Sequence, residues 1–368
     1  MNLRPQNSDG TIVCMIETPA ISPEHKNFAS QLITELPKVS IHEYLPTQTD
    51  YGSQVASREQ LAKHIQSTVR RYREDNVVYL ELRVVVEDFC TDDFVLADAF
   101  ATALDAVAAE GIQARLLVCA RADGAAVSEL TELAVQAQGD PNFAGMVFIL
   151  GGDAAWNTVG SALTAACTKL RENYLPFAID GTAGINAVGA AVQLGALRLG
   201  RPLALVDDFS ADITGIVPGK ISSWVRDRGI TAEMTPLWDL ADEFLGEAAV
   251  DELPDHPLPL LQQLGFRCTV SAGQLHAGSC SDVMNSLTET FGYGLEEFFD
   301  LTAKTVTASF LSEPERQQLL ETQILPRYEK LADAELRQPE GTNESEEAEE
   351  AGETGAVTED GSASQNVD

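Results

Sequence analysis

The sequence has little of what marks several common functional classes. Its six cysteines, Cys14, Cys90, Cys119, Cys167, Cys268 and Cys280, are scattered with no CxxC pair. That argues against a disulfide framework or a zinc ribbon and is the pattern of small buried residues. Basic residues are scarce, 24 Lys and Arg against 57 Asp and Glu. A net charge of −33 makes nucleic acid and anionic membrane surfaces unsuitable partners. No stretch approaches the ~18 consecutive apolar residues of a membrane span. Met1 to Thr11 is polar and lacks the charged-then-apolar layout of a signal peptide, so the cytoplasm is the expected compartment. No GxGxxG follows a strand, no GxSxG is present, and the HxE with later PCxxC signature is missing. Gly215-Ile216-Val217-Pro218-Gly219-Lys220 imitates a phosphate loop, but it is too short between its glycines and has Ile221 where a hydroxyl residue is required.

What is present is a hydrophobic content of 44% in 368 residues, enough for one large α/β body. Part of the charge lies in a tail. Asp333 to Asp368 contains 12 acidic residues and one arginine, a net of −11 in a weakly hydrophobic segment that is not expected to fold. Between residues 36 and 332, short apolar β-rich runs alternate with amphipathic stretches. Strands are predicted at 39–45, 77–86, 112–120, 145–151, 176–181, 197–206, 231–235 and 267–272. Nearly continuous apolar strands of this length are buried on both faces, as in parallel sheets. Helices are predicted between them: Ser57–Glu74 with Ser57 as N-cap, Asp92–Glu110 ending at Gly111, 125–138, 154–172, 189–197, 220–228 and 257–264. Three more helices, 281–291, 295–310 and 313–331, close the chain. Eight strand–helix repeats over about 300 residues indicate a (β/α)8 TIM barrel. The expected organisation is an N-terminal extension over 1–35, one barrel domain over 36–332 and a disordered acidic tail over 333–368.

In such a barrel the chemistry lies at the C-terminal ends of the strands. The run Asn76-Val77-Val78-Tyr79-Leu80-Glu81-Leu82-Arg83 resembles the second strand of the adenosine deaminase family. The likeness continues at Arg228 to Pro236, where the family strand ends Cys-Pro-Thr-Ser-Asn. It returns at Asp255-His256-Pro257 through Gly265, and in Phe291-Gly292-Tyr293-Gly294-Leu295 and Ala308-Ser309-Phe310-Leu311. The first strand, Leu36 to Leu45, has the family's form up to its metal-binding His-x-His pair.

The resemblance implies an adenosine-deaminase-like barrel and a zinc ion held by three histidines and an aspartate. The metal activates a water for attack on the purine carbon bearing the amine, a glutamate protonates the ring nitrogen, and a further histidine orients the water. Matched residue by residue, His42 is the one family ligand retained. Tyr44 stands where the second histidine belongs and Asp180 where the third does. Ala183 replaces the proton-donating glutamate. Arg201, in Gly200-Arg201-Pro202, replaces the histidine of Gly-His-Gly. Gly273, in Ala272-Gly273-Gln274-Leu275, replaces the metal aspartate. Leu150-Gly151-Gly152-Asp153 keeps part of a substrate-contacting glycine turn, and Pro46 to Ala56 is all that remains of the family's long insertion over the substrate.

No catalytic residue and no metal ligand set are therefore expected, with zinc only if a rebuilt site exists. His42, Tyr44, Asp180, Arg201, Gly273 and Gln274 are expected to line a vestigial pocket. His42 reads as a hydrogen-bonded mouth residue or a leftover ligand. Arg201 beside Asp180 reads as an internal ion pair, with an anion- or carboxylate-binding mouth as the alternative. His276 is a replacement base or a plain loop residue, and His256 has a structural role. The functional expectation is a catalytically silent member acting as a binding or regulatory protein, with a small-molecule ligand at the mouth or a protein partner. The alternatives are a divergent purine deaminase or other hydrolase with a rebuilt site, and a structural partner of an active paralogue.

Overall fold

A computed structural model of the chain describes residues 31–47, 57–108, 111–150, 160–182, 184–213, 215–240, 250–274 and 277–336. Ala183, Asp153, His25, His276, most of the shortened 46–56 loop and nearly all of the expected acidic tail lie outside them.

Eight parallel strands form the barrel wall: β1 (Lys38–Tyr44), β2 (Val77–Val84), β3 (Gln113–Arg121), β4 (Phe143–Ile149), β5 (Phe177–Asp180), β6 (Arg198–Gly200), β9 (Thr231–Met234) and β10 (Cys268–Val270). Each pairs with the next in that order. The circle closes through a parallel bridge between Glu43 and Gly273, with the Tyr44 amide donating to the Gly273 carbonyl at 2.8 Å. Most of these strands are buried from end to end, as their apolar composition requires when helices cover the outside and side chains fill the inside.

The helices follow from local chemistry. In α1 (Arg58–Glu74), Ser57 accepts a hydrogen bond from the Gln60 amide, and Leu61, Ile65, Val69 and Tyr72 recur at helical spacing on the buried face. α2 (Leu96–Ala106), α3 (Val127–Gln136), α4 (Ser161–Glu172) and α5 (Ile185–Leu194) follow the next strands. α5 starts earlier and ends earlier than the expected 189–197 helix, because Gly195 adopts φ +95° and terminates it. After β6 come α6 (Lys220–Asp227), the single turn α7 (Pro236–Asp239) and α8 (Leu258–Gln263). α9 (Cys280–Phe291), α10 (Leu295–Ala308), α11 (Glu313–Leu319) and α12 (Leu325–Leu336) make the C-terminal layer.

Three features depart from the sequence expectation. The sixth strand is three residues long instead of running to 206: Pro202 supplies no amide, and Leu203–Asp208 form a 3-10 turn. An antiparallel hairpin, β7 (Phe209–Asp212) and β8 (Gly215–Pro218), then precedes α6, and the false phosphate loop runs through β8 into the first residue of α6. The last long helix is broken by a π turn over Leu320–Ile324, just before Pro326, whose missing N–H and ring disturb the regular ladder. At the edges of the barrel, Ile33 and Leu36 are packed in the core, and α12 continues past Ala332 to Leu336.

Among the described residues no helix is long and apolar enough to cross a membrane. The capping box at α9, in which Ser279 accepts from the Asp282 amide and Asp282 accepts from the Ser279 amide at 2.7 Å, satisfies amides at the start of that helix. Ser279→Ala is expected to lower stability by about 1 kcal/mol in denaturant melts without changing the far-UV spectrum.

Candidate functional site

Strand alternation brings His42 and Tyr44 of β1 to the inside of the barrel, and Arg83 enters from the end of β2. Asp180 ends β5, Arg198 begins β6, Arg201 follows it, and Glu233 lies in β9. These side chains meet inside the barrel, at the mouth and just beneath it. Asp180 is the hub for four of them: its Oδ2 accepts from the Tyr44 hydroxyl at 2.5 Å and from Arg83 Nη1 at 2.9 Å, and lies 3.1 Å from His42 Nε2. Its Oδ1 accepts from the Gly181 amide at 2.6 Å and from Arg201 Nε at 3.3 Å. Glu233 pairs with Arg83 through Oε2 and lies 2.9 Å from Arg198 Nε through Oε1. Arg198 also donates to Glu81 at 2.5 Å, and Glu81 receives the Tyr79 hydroxyl and the Phe310 amide. His42 Nδ1 sits 3.2 Å from Glu233 Oε2, within ion-pair distance but not aligned as a hydrogen bond. Arg83, Arg198 and Arg201 thus face Glu81, Asp180 and Glu233, three guanidiniums and three carboxyl groups, all buried.

The surroundings set the protonation of these groups. Burial pushes the Asp180 carboxyl up, but His42, Arg201 and Arg83 outweigh it and hold the group well below the usual carboxylate range. Burial likewise opposes ionisation of Glu233, and Arg83 and Arg198 with His42 bring it down to about 2. Burial first, and the Asp180 charge second, raise the Tyr44 phenol far above its ordinary value, so it stays a donor. On the outer side of β1, Glu43 shows the reverse. Burial raises its carboxyl despite hydrogen bonds from Ser40, Tyr72 and the Ala272 amide.

Two glycines shape the mouth. A Cβ on Gly200 would lie 2.4 Å from Asp180 Oδ1, so only glycine lets the carboxyl lean across β6. Gly273 has φ +78°, and a Cβ there would meet Trp238 Cε3 at 2.3 Å. Trp238 on α7 covers the mouth with Arg201 stacked on its ring at 4.0 Å. Arg201 itself holds φ +51°, a left-handed conformation that costs a non-glycine residue about 1–3 kcal/mol. Its amide bond to the Glu233 carbonyl, the Asp180 pair and the Trp238 stack offset that strain.

The sequence-derived positions divide clearly. His42, Tyr44, Asp180 and Arg201 converge, and Arg201 forms the expected ion pair with Asp180. Gly273 lies under the indole and takes part in barrel closure. Gln274 is half-buried, and its carbonyl accepts from the Ala277 amide in the turn beyond β10. His256 is bound to Asp239, and His64 to the Pro46 carbonyl. Arg83, Glu233, Glu81, Arg198 and Trp238 join the site without belonging to the expected set. Glu81, Arg83 and Glu233 stand inside the runs that carry the family likeness, and Trp238 lies two residues past Pro236, where the run holding Glu233 ends. A surface depression of about 680 Å³ lies on the solvent face of α4, lined by Ser161, Thr164, Thr168 and Lys169, on the outer helical layer.

The donor set among the described residues does not fit the family's zinc. Among the described residues, no group of three or more His, Cys, Asp or Glu side chains is disposed to hold a metal ion. Arg83 Nη1 lies 3.3 Å from His42 Nε2 and 2.9 Å from Asp180 Oδ2, so a guanidinium already occupies the space between these two side chains and neutralises the carboxylate. Trp238 closes the space above Gly273.

Two outcomes are expected. Arg83→Ala leaves Asp180 and Glu233 without a principal partner and should cost about 3–5 kcal/mol in unfolding free energy. For pH, Asp180 and Glu233 have folded values below their unfolded ones, so their stabilisation is complete above about pH 5 and falls as pH drops through about 4 towards 2. Acid unfolding of Asp180→Asn should show a shallower loss over that window than the wild type; equal slopes would count against the ionised hub.

The family model described as adenosine deaminase matches residues 15–324. An adenosine deaminase of Mycobacterium ulcerans (strain Agy99) is 29% identical over 323 residues, covering 83% of this chain and 86% of that protein. One of Mycolicibacterium vanbaalenii is 33% identical over 270 residues, 69% of this chain and 72% of that one. Among solved structures, a zinc-bound amidohydrolase from Burkholderia ambifaria superposes with a TM-score of 0.69 at 15% identity, covering 88% of this chain and 97% of that one. The N6-methyl-AMP deaminase of Arabidopsis thaliana gives 0.65 at 14% identity, covering 83% and 99%. At these identities the structural likeness speaks for the barrel alone, which agrees with the eight-stranded (β/α)8 architecture. The sequence match settles the kinship: this chain belongs to the adenosine deaminase family.

Proposed function

We propose that this family member does not carry out zinc-dependent purine deamination and acts as a binding or regulatory protein. The observation that carries the reading is the self-neutralised mouth. Asp180 is bound by Tyr44, Arg83 and Arg201 at once, where the inherited reaction needs a third histidine facing an open metal position. The reaction also needs an acid to protonate the ring nitrogen and a base to orient water. The sequence supplies Ala183 and Arg201 at those positions. Arg201, always charged, cannot accept a proton from water. The curated relatives are named as adenosine deaminases, so the reading sets this chain apart from them on its own residues.

A binding role for the fold draws support from Arabidopsis neighbours solved with IMP and with GMP. The acidic surface of the chain disfavours a polyanionic partner and suits a neutral or basic one.

The test is turnover. Purified protein loaded with zinc and given adenosine should form no inosine above a heat-denatured control, with a mycobacterial relative assayed in parallel as the positive standard. Inosine formation that a chelator abolishes and zinc restores would overturn the reading.

A further inference from the structure

We propose that Trp238 is a built-in plug: the barrel mouth is a cage for a flat bicyclic aromatic, and the chain fills it with its own indole. The proposal deepens the non-deaminating reading and rests on it. Three parts of the barrel surround the ring. Arg201, after β6, lays its guanidinium on it at 4.0 Å, a cation–π contact. His42 and Tyr44 of β1 meet it edge-on, with ring centroids at 6.0 and 5.7 Å and interplanar angles of 78° and 71°. The segment after β10 passes beneath it with no side chain at all, since a Cβ on Gly273 would lie 2.3 Å from Cε3 and 3.1 Å from Cζ3. The indole is 8% exposed although it sits on a single helical turn at the end of a strand.

That turn is held from behind. Asp239, next to the plug, accepts from the Thr235 hydroxyl at 2.8 Å and from His256 Nε2 at 3.0 Å. The Leu258 amide donates to His256 Nδ1 at 3.2 Å, which leaves the ring proton on Nε2 for Asp239. The anchor spans 17 residues of chain and is wholly buried, so α7 presents Trp238 to the mouth from a fixed base. A stacked cation, two aromatic edges and a bare glycine are the features of an aromatic-binding site, and here the occupant is covalently part of the protein.

The test is Trp238→Ala with free indole as the probe, because a truncated ring leaves a cavity that an unattached ring can refill. The variant should melt below wild type, and indole should raise its melting temperature in a saturable manner while leaving wild type unmoved. A variant that folds with wild-type far-UV dichroism but does not respond to indole overturns the proposal. A second measurement guards against a variant that fails to fold. Trp156→Phe with Trp224→Phe leaves Trp238 as the sole indole of the chain. Its emission should be blue-shifted and resist acrylamide quenching; red-shifted, freely quenched emission overturns the plug. Loss of the plug in these experiments leaves the non-deaminating reading standing, since only zinc-dependent turnover by the wild type can remove that.

Discussion

The mouth of this barrel depends on one carboxylate. Asp180 at the end of β5 gathers a phenol, two guanidiniums, a backbone amide and an imidazole from four separate strands and their loops. An ionised group so deep is costly unless opposite charge and hydrogen bonds surround it. Arg83 and Arg201 supply the charge, and Tyr44 and Gly181 supply the donors. The consequences spread outward. Gly200 must lack a side chain so that the carboxyl can lean across β6, and Arg201 accepts a left-handed backbone to bring Nε within reach. Arg83 carries the network to Glu233, and Arg198 carries it on to Glu81 beneath.

This arrangement separates scaffold from chemistry. β2 and β9, where the family likeness is strong, contribute Glu81, Arg83 and Glu233, which tie the wall together under the mouth. The strand ends around the mouth carry Tyr44, Asp180, Arg201 and Gly273. The ion pairs beneath the mouth and the apolar layers around them hold the barrel wall together. At the mouth each of these groups finds a partner: Tyr44 on Asp180, Arg201 on Asp180 and Trp238, and Gly273 under the indole.

Much of this is legible in the sequence, and the limits have physical causes. Seven of the eight strands read closely because parallel strands buried on both faces leave continuous apolar runs. The meeting of His42, Tyr44, Asp180 and Arg201 follows from their places at strand ends, since a closed barrel brings all of them to one rim. The sixth strand reads too long because Leu203, Ala204, Leu205 and Val206 are as apolar as a strand, and only Pro202 hints at the turn. The β7–β8 hairpin is short and largely exposed, so it lacks the buried alternation that marks a strand. Trp238 escapes a sequence reading because its partners, Arg201 and Gly273, are far from it in sequence and join it only when the barrel closes. Glu233 and Arg83 register as family likeness, not as charges, because pairing across strands is invisible along the chain.

The non-deaminating account rests on a mouth in which guanidinium groups already face its carboxylates. The most direct measurement is elemental analysis of the purified protein after loading with zinc and gentle washing. The account predicts far less than one zinc per chain and no change in melting temperature on loading. About one tightly held zinc per chain, lost in His42→Ala or Asp180→Asn, would contradict it.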